Sequence, residues 1–178
     1  NGISAAYLSM NANKKSIAVD LKKPKGRDAV LRLAERSDVF VQNLRPGEVE
    51  KLGLGFDAVR GRNSRVIYCS IGSYGEKGPL KDQPGYDPLM QAAAGIMSVT
   101  GEAGRPPARA GVSVVDQGTG MWAVIAILAA LRTRESVGAQ HVKTSLYEVA
   151  VNWLAFQIAG YLGTAHVPKP MGSALGLI

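Results

Sequence analysis

SIAVDLKKPKGRDAVLRLAERSDVFVQNLRPGEVEKLGLGFDAVRGRNSRVIYCS, residues Ser16 to Ser70, holds three short apolar segments with helical patterns between them. Ser16–Leu21 alternates and is rich in β-formers, so it predicts a strand. Pro24 suits the first turn of a helix that runs to about Arg36, with Ala29, Val30, Leu33 and Ala34 on one face. Val39-Phe-Val41 reads as a short strand. Pro46 opens a helical stretch over Gly47–Leu52, followed by another near Phe56–Arg60, and Arg65–Ser70 reads as a third strand. Strand, helix, strand, helix, strand at this spacing predicts a parallel sheet with right-handed crossovers.

The remainder continues the pattern. Ile71–Gly85 is a Gly/Pro-rich loop, Asp87–Met97 a helix with small residues at Ala92–Gly95, and Val99–Ala108 another loop. Arg109 to Val115 reads as a β-like segment closed by Asp116. A buried helix follows from Thr119 to Arg134 and ends near Gly138. His141–Ser145 predicts a strand and Tyr147–Leu162 a helix. The fold class is α/β, one Rossmann-like parallel sheet with flanking helices.

Bulk composition narrows the function. The chain has 178 residues, 46% apolar and 20% charged, which fits a globular domain with a core. Met121–Leu131 is shorter than the roughly 20 apolar residues needed to cross a bilayer, and the N-terminal residues show no secretory signal pattern. The reading is a cytoplasmic protein off the membrane. One cysteine, Cys69, excludes an internal disulfide. His141 and His166 have no ligand spacing around them, so no metal site is expected. The net charge of +7 points to an anionic partner. With 6% aromatics and scattered basic residues, a small polyanion such as a nucleotide or CoA fits better than nucleic acid.

Individual motifs are ambiguous. Gly53-Leu-Gly-Phe-Asp-Ala58 formally matches GxGxxA, but a helical stretch precedes it where the dinucleotide fingerprint needs a strand. A helix-capping glycine pair is the better reading. Asn43-Leu-Arg-Pro-Gly47 follows a strand, so it is either an ordinary βα turn or a loop offering Arg45 to a phosphate. Asn11-Ala-Asn-Lys-Lys15 is a solvated turn or a phosphate-facing loop. Asp116 stands where a helix begins, either as a simple N-cap or as an anionic group beside the positive end of the helix dipole.

Taken in order, these segments resemble the family III CoA-transferases, the family of formyl-CoA transferase and carnitine CoA-transferase. Asn13-Lys-Lys-Ser-Ile-Ala-Val-Asp-Leu-Lys22 is similar to that family's N-K-R-S-I-x-x-D-L-K. Asp38 to Gly55 is similar to its D-V-x-x-x-N-x-R-P-G segment. Pro84-Gly-Tyr-Asp87, Gly101 with Pro106-Pro107, Asp116 to Gly120, Ile127 to Leu131 and Gly138-Ala-Gln140 follow in place. The resemblance implies Asp116 as the catalytic aspartate. It implies a CoA-holding role for Met10, Asn11, Ala12 and Asn13, for Asn43, Leu44 and Arg45, and for Lys51, which stands where relatives carry arginine. It also implies a CoA-binding role for Pro84, Gly85, Tyr86 and Asp87, with Tyr86 and Asp87 lining the position beside the active site.

The implied activity moves CoA between carboxylic acids through aspartyl anhydride and aspartyl-CoA thioester intermediates. CoA is carrier and substrate, no metal takes part, and backbone N–H groups near Gly118 stabilise developing charge. The alternatives are an α-methylacyl-CoA racemase-type epimerase and a non-catalytic CoA-binding or assembly module. The racemase branch uses a histidine where this chain has Tyr86, and a tyrosine with an ordinary pKa near 10 replaces it poorly. The resemblance further implies an interlocked homodimer. Residues 1–163 are expected to form an N-terminally incomplete large domain. Residues 164–178 are expected to begin a linker to a small domain absent from this chain, and a fragment of this kind is expected to be inactive alone.

Overall fold

The computed structural model describes residues 2–174. In chain order the elements are α1 (Ala5–Met10), α2 (Pro24–Ala34), β1 (Val39–Gln42), α3 (Glu48–Lys51), α4 (Phe56–Arg60) and β2 (Ile67–Gly72). Then come α5 (Asp87–Ala94), α6 (Ile96–Val99), α7 (Val114–Val137), β3 (Gln140–Ser145), α8 (Leu146–Trp153) and α9 (Ala155–Thr164). The strands form one parallel sheet in the order β1-β2-β3. Parallel neighbours cannot be joined by a hairpin. Accordingly α3 and α4 return the chain from β1 to β2, and α5, α6 and α7 return it from β2 to β3.

Register sorts the side chains into rows. Phe40, Tyr68 and His141 stand side by side across the sheet, and Gln42, Ser70 and Lys143 form the next row toward the carboxyl ends. The first row is aromatic: Phe40 stacks on Tyr68 at 5.1 Å, and His141 meets Tyr68 edge-on at 4.9 Å. Leu31 and Ala34 of α2, Val49 of α3, Leu54 of the turn that follows it and Val59 of α4 close over Tyr68 to form a core. The buried Tyr68 hydroxyl donates to the Leu54 carbonyl at 2.9 Å, which removes the penalty of burying it. The opposite face, carrying Ile67 and Cys69, lies under α7. A second core of Met90, Ile96, Val115, Leu146, Ala150 and Leu154 joins α5, α6, α8 and the start of α7.

Several expectations are corrected. Ser16–Leu21 is not a strand among the described residues: it has no ladder partner, Ile17 is 60% exposed, and only Leu21 reaches the core. Alternation marks a strand only where a neighbouring strand takes up its N–H and C=O groups. The predicted helix Asp87–Met97 is broken at Gly95, whose φ of +100° ends α5 and begins α6. The helix Tyr147–Leu162 is likewise two helices, interrupted at Leu154. Helix α1 was not anticipated; Ser4 caps it by accepting the Tyr7 N–H.

The largest correction concerns α7. No strand runs directly into it over residues 109–113, it begins at Val114 rather than Thr119, and it is not buried throughout. Val115, Gly118, Thr119, Ala123 and Ala130 face the protein, while Met121, Val124, Ile125 and Leu128 are each more than half exposed. Although α7 is apolar nearly all round, only the stripe that meets the sheet and α8 is buried here. By length and composition alone α7 is long and apolar enough to cross a membrane, unlike the short run read from sequence. In this fold its inner stripe packs on β2, β3, α5 and α8. Gly53 and Gly55 do form the expected capping pair: Gly53, at φ +69°, follows α3, and Gly55 is the N-cap of α4.

Gly26 marks a close approach of two chain segments. A Cβ there would lie 2.1 Å from the Asp20 carbonyl oxygen and 2.7 Å from its carbon. These are backbone atoms, so Gly26→Ala must displace residues 20–23 from the first turn of α2. A net loss of about 1–2 kcal/mol is expected after the helical gain of alanine is offset. A urea midpoint equal to or above that of the wild type would show that this turn yields without cost.

Candidate active site

Helix α7 begins at a buried carboxylate. Asp87 opens α5, is 2% exposed, and reaches across to the backbone of α7. Its Oδ2 accepts the N–H of Val115 at 2.7 Å and of Asp116 at 3.1 Å. These are two of the donors that a helix leaves unpaired in its first turn. The N-cap position itself, Ser113, makes no side-chain bond, so the cap comes from a different helix. Gln91, fully buried one turn along α5, donates to Asp87 Oδ1 at 2.6 Å and accepts the Ala110 N–H at 2.8 Å. Asp87 and Gln91 together thus fix the approach segment from Ala110 to Asp116.

Asp116 is the third residue of α7 and lies on its exposed side. No hydrogen bond or ion pair engages its carboxylate among the described residues, so it is not the N-cap that a local reading allows. Partial burial raises the Asp116 carboxyl above its ordinary value, and the charge of Asp87 adds to the rise. The helix N-terminus favours the anion. Asp116 is therefore an exposed carboxylate with free lone pairs, on a rigid element. Behind it the Trp153 ring of α8 packs against Gly118, so closely that a Cβ on Gly118 would lie 2.8 Å from the indole. Of the backbone N–H groups near Gly118, those of Val115 and Asp116 go to Asp87, and that of Gln117 goes to the Ser113 carbonyl at 3.0 Å.

A cleft of about 650 Å³ opens at the carboxyl ends of the three strands. Its floor is the polar row of Gln42, Ser70 and Lys143, and its walls include Leu44, Arg45, Tyr74 and Glu148. This is where open α/β sheets bind ligands. A smaller groove of about 300 Å³ shares Lys143, Thr144 and Glu148 with it and continues to Trp122 and Ala126 of α7. Trp122 lies six residues beyond Asp116, about 9 Å along the helix axis.

The predicted site residues are spread over several places. Leu44 and Arg45 line the cleft. Asp87 and Asp116 meet at the start of α7; Asp87, expected to face the ligand, is instead buried and fully bonded. Pro84, Gly85 and Tyr86 lead into α5, with Tyr86 68% exposed at its N-cap. Asn43 follows β1 but is outside the cleft lining, and Lys51 pairs with Glu48 at 2.8 Å, also outside it. Met10, Asn11, Ala12 and Asn13 close the exposed helix α1 and do not reach the cleft; Asn13 takes a φ of +60° in a solvated turn. Sequence reasoning missed Gln42, Ser70, Lys143 and Glu148. The available signal was a polar residue ending each of the apolar strands VFVQ and VIYCS.

Comparison with known proteins decides the family. The pattern of CoA-transferase family III matches residues 1–176. The chain belongs to CoA-transferase family III. Among family III relatives, an acyl-CoA transferase of Fusarium pseudograminearum is 44% identical over 154 residues, covering 85% of this chain and 34% of that protein. The human succinyl-CoA:glutarate CoA-transferase is 39% identical over 176 residues, covering 98% of this chain and 40% of the other. The crystal structure of a CaiB/BaiF family protein from Brucella suis superposes with a TM-score of 0.91 at 38% identity, covering 97% of this chain and 46% of that one. The chain thus spans less than half the length of each, and its parallel sheet and flanking helices form part of a family III fold.

Proposed function

We propose that the full-length protein carrying this chain moves CoA between carboxylic acids, with Asp116 as the nucleophile and the strand-end cleft as part of the CoA site. The observation that carries this reading is the Asp116 carboxylate, unengaged at the start of a helix held by Asp87. Membership of family III and the CoA-transferase names of several relatives support it. Arg45, at the turn after β1, supplies a cation for the anionic carrier.

In this mechanism an Asp116 oxygen attacks the thioester carbonyl, and the C–S bond breaks to release CoA thiolate. The product is a mixed anhydride. The thiolate then attacks the aspartyl carbonyl, expelling the donor acid and leaving an aspartyl-CoA thioester. The acceptor carboxylate attacks that thioester, and the same steps run in reverse return CoA to the acceptor and free Asp116. Dividing the exchange in this way replaces one hard step with several easier ones. The free Asp116 must be ionised at the first attack. Its raised pKa therefore places the acid limb of the rate profile above the ordinary carboxylate range, activity falling as pH drops through it.

Substrate class is read from relatives only: succinyl-CoA with a second dicarboxylate is the first donor and acceptor pair to try. Incubating the full-length protein with succinyl-CoA and a labelled panel of carboxylic acids should transfer label into a new thioester. CoA binding without label transfer from any donor would favour a binding module. Loss of α-proton stereochemistry without transfer would favour an epimerase. We further propose that the working unit is a homodimer, that no metal takes part, that the protein resides in the cytoplasm, and that residues 1–163 belong to the large domain. The last four residues of the 164–178 linker lie outside the described structure.

A further inference from the structure

Three side chains from three adjacent strands form one hydrogen-bonded chain beneath the cleft. Gln42 Oε1 accepts the Leu44 backbone N–H at 2.8 Å, and Gln42 Nε2 donates to Ser70 Oγ at 2.8 Å. Ser70 Oγ lies 2.9 Å from His141 Nε2. One end of the chain is fixed. A backbone N–H can only donate, so the Gln42 atom facing Leu44 is the oxygen and the other is the amide nitrogen. Ser70 Oγ therefore receives a proton from Gln42 and keeps one proton and one lone pair for His141 Nε2. With the ring neutral and its proton on Nδ1, Ser70 donates to Nε2 and the chain runs in one direction from His141 to Leu44. The surroundings agree. The ring is half-buried between Phe56, stacked at 5.0 Å, and the edge of Tyr68 at 4.9 Å. Burial lowers its pKa below the usual imidazole range and Lys143 lowers it further, against the opposing carboxylates of Glu76, Glu50 and Asp57.

We infer that His141, acting through Ser70 and Gln42, is a positioning residue that holds the Leu44–Arg45 turn in place for CoA. This rests on the reading of the strand-end cleft as part of the CoA site. Gln42 and Ser70 form the cleft floor, and Leu44 and Arg45 form its wall, so the chain ties the wall to the floor. Protonation of His141 turns Nε2 into a donor. Ser70 Oγ then accepts from both Gln42 and His141, its own proton loses its acceptor, and the chain that ties Leu44 to β3 is rearranged.

Three variants of the full-length protein test this: Ser70→Ala, His141→Phe and His141→Gln. His141→Phe keeps the ring packing without the acceptor, and His141→Gln offers an amide oxygen near the Nε2 position. Each is read by CoA affinity, by kcat and KM, and by hydrogen exchange of the Leu44 amide. Losing one such bond predicts roughly fivefold weaker CoA binding and a matching rise in KM for Ser70→Ala and His141→Phe, with kcat within about twofold. Leu44 exchange should quicken in both, and His141→Gln should restore affinity and protection. CoA affinity of the wild type should fall below the imidazole range more steeply than that of His141→Gln, a comparison that cancels titration of CoA's own phosphate. Wild-type Leu44 protection and CoA affinity in both Ser70→Ala and His141→Phe would overturn the inference. So would an effect on kcat alone. A wild-type protein that binds no CoA would instead overturn the proposed function, while Leu44 exchange would still decide whether the turn is held by this chain.

Discussion

Asp116→Asn in the full-length protein is expected to lower CoA transfer on the order of a thousandfold or more, with CoA affinity within about twofold of wild type. The expectation follows from where Asp116 stands. Its carboxylate makes no bond that supports the fold, and it is the third residue of α7, exposed beyond the buried Val115. Asparagine fits the same position with little change in packing. It is a poor nucleophile toward a thioester and cannot form the anhydride. A merely structural Asp116 would give the opposite pattern, with turnover retained and only stability altered. Circular dichroism and a urea midpoint close to the wild type are therefore part of the predicted result.

The second large effect is on stability. Asp87→Ala should destabilise the fold by about 3 kcal/mol, read as a lower urea midpoint at unchanged slope. The buried Val115 N–H and the Asp116 N–H would both lose their acceptor, and Gln91 would lose one partner. No water can readily replace a carboxylate that is 2% exposed. Asp87→Asn separates packing from charge. Its amide oxygen can still cap α7, but its NH₂ then faces the donating Gln91 amide, at a smaller cost of about 1 kcal/mol. It also removes one of the two influences that raise the Asp116 pKa. The acid limb of the rate profile should consequently move to lower pH in Asp87→Asn. An unmoved limb would mean that Asp87 acts on Asp116 through geometry alone.

The parts of the fold that sequence made legible are those specified by local pattern. VFVQ, RVIYCS and HVKTS are short runs with flanking polar turns, and β1, β2 and β3 fall on them. Pro24 and Gly138 mark the start of α2 and the end of α7 because each acts through its own backbone. What failed depended on partners. Ser16–Leu21 has the alternation of a strand but nothing beside it to pair with among the described residues. The uniform apolarity of α7 gave no stripe from which to read its buried side. The cap of α7 was unreadable for a similar reason: Asp87 lies 28 residues from Val115, and only the packing of α5 on α7 brings them together. Asp116 itself was legible as a carboxylate at a helix start. The chain from His141 to Leu44 was not, because its members look like ordinary strand-end polar residues until register aligns them.

The most direct test of the account is to trap the covalent intermediate. The full-length protein is incubated with acyl-CoA donors, quenched with hydroxylamine, and the peptide containing Asp116 is mapped by mass spectrometry, with Asp116→Asn as the control. The account predicts a hydroxamate on Asp116 that requires a productive donor and is absent from Asp116→Asn. An unmodified Asp116 in a preparation that turns over acyl-CoA, or an adduct that persists in Asp116→Asn, would contradict it.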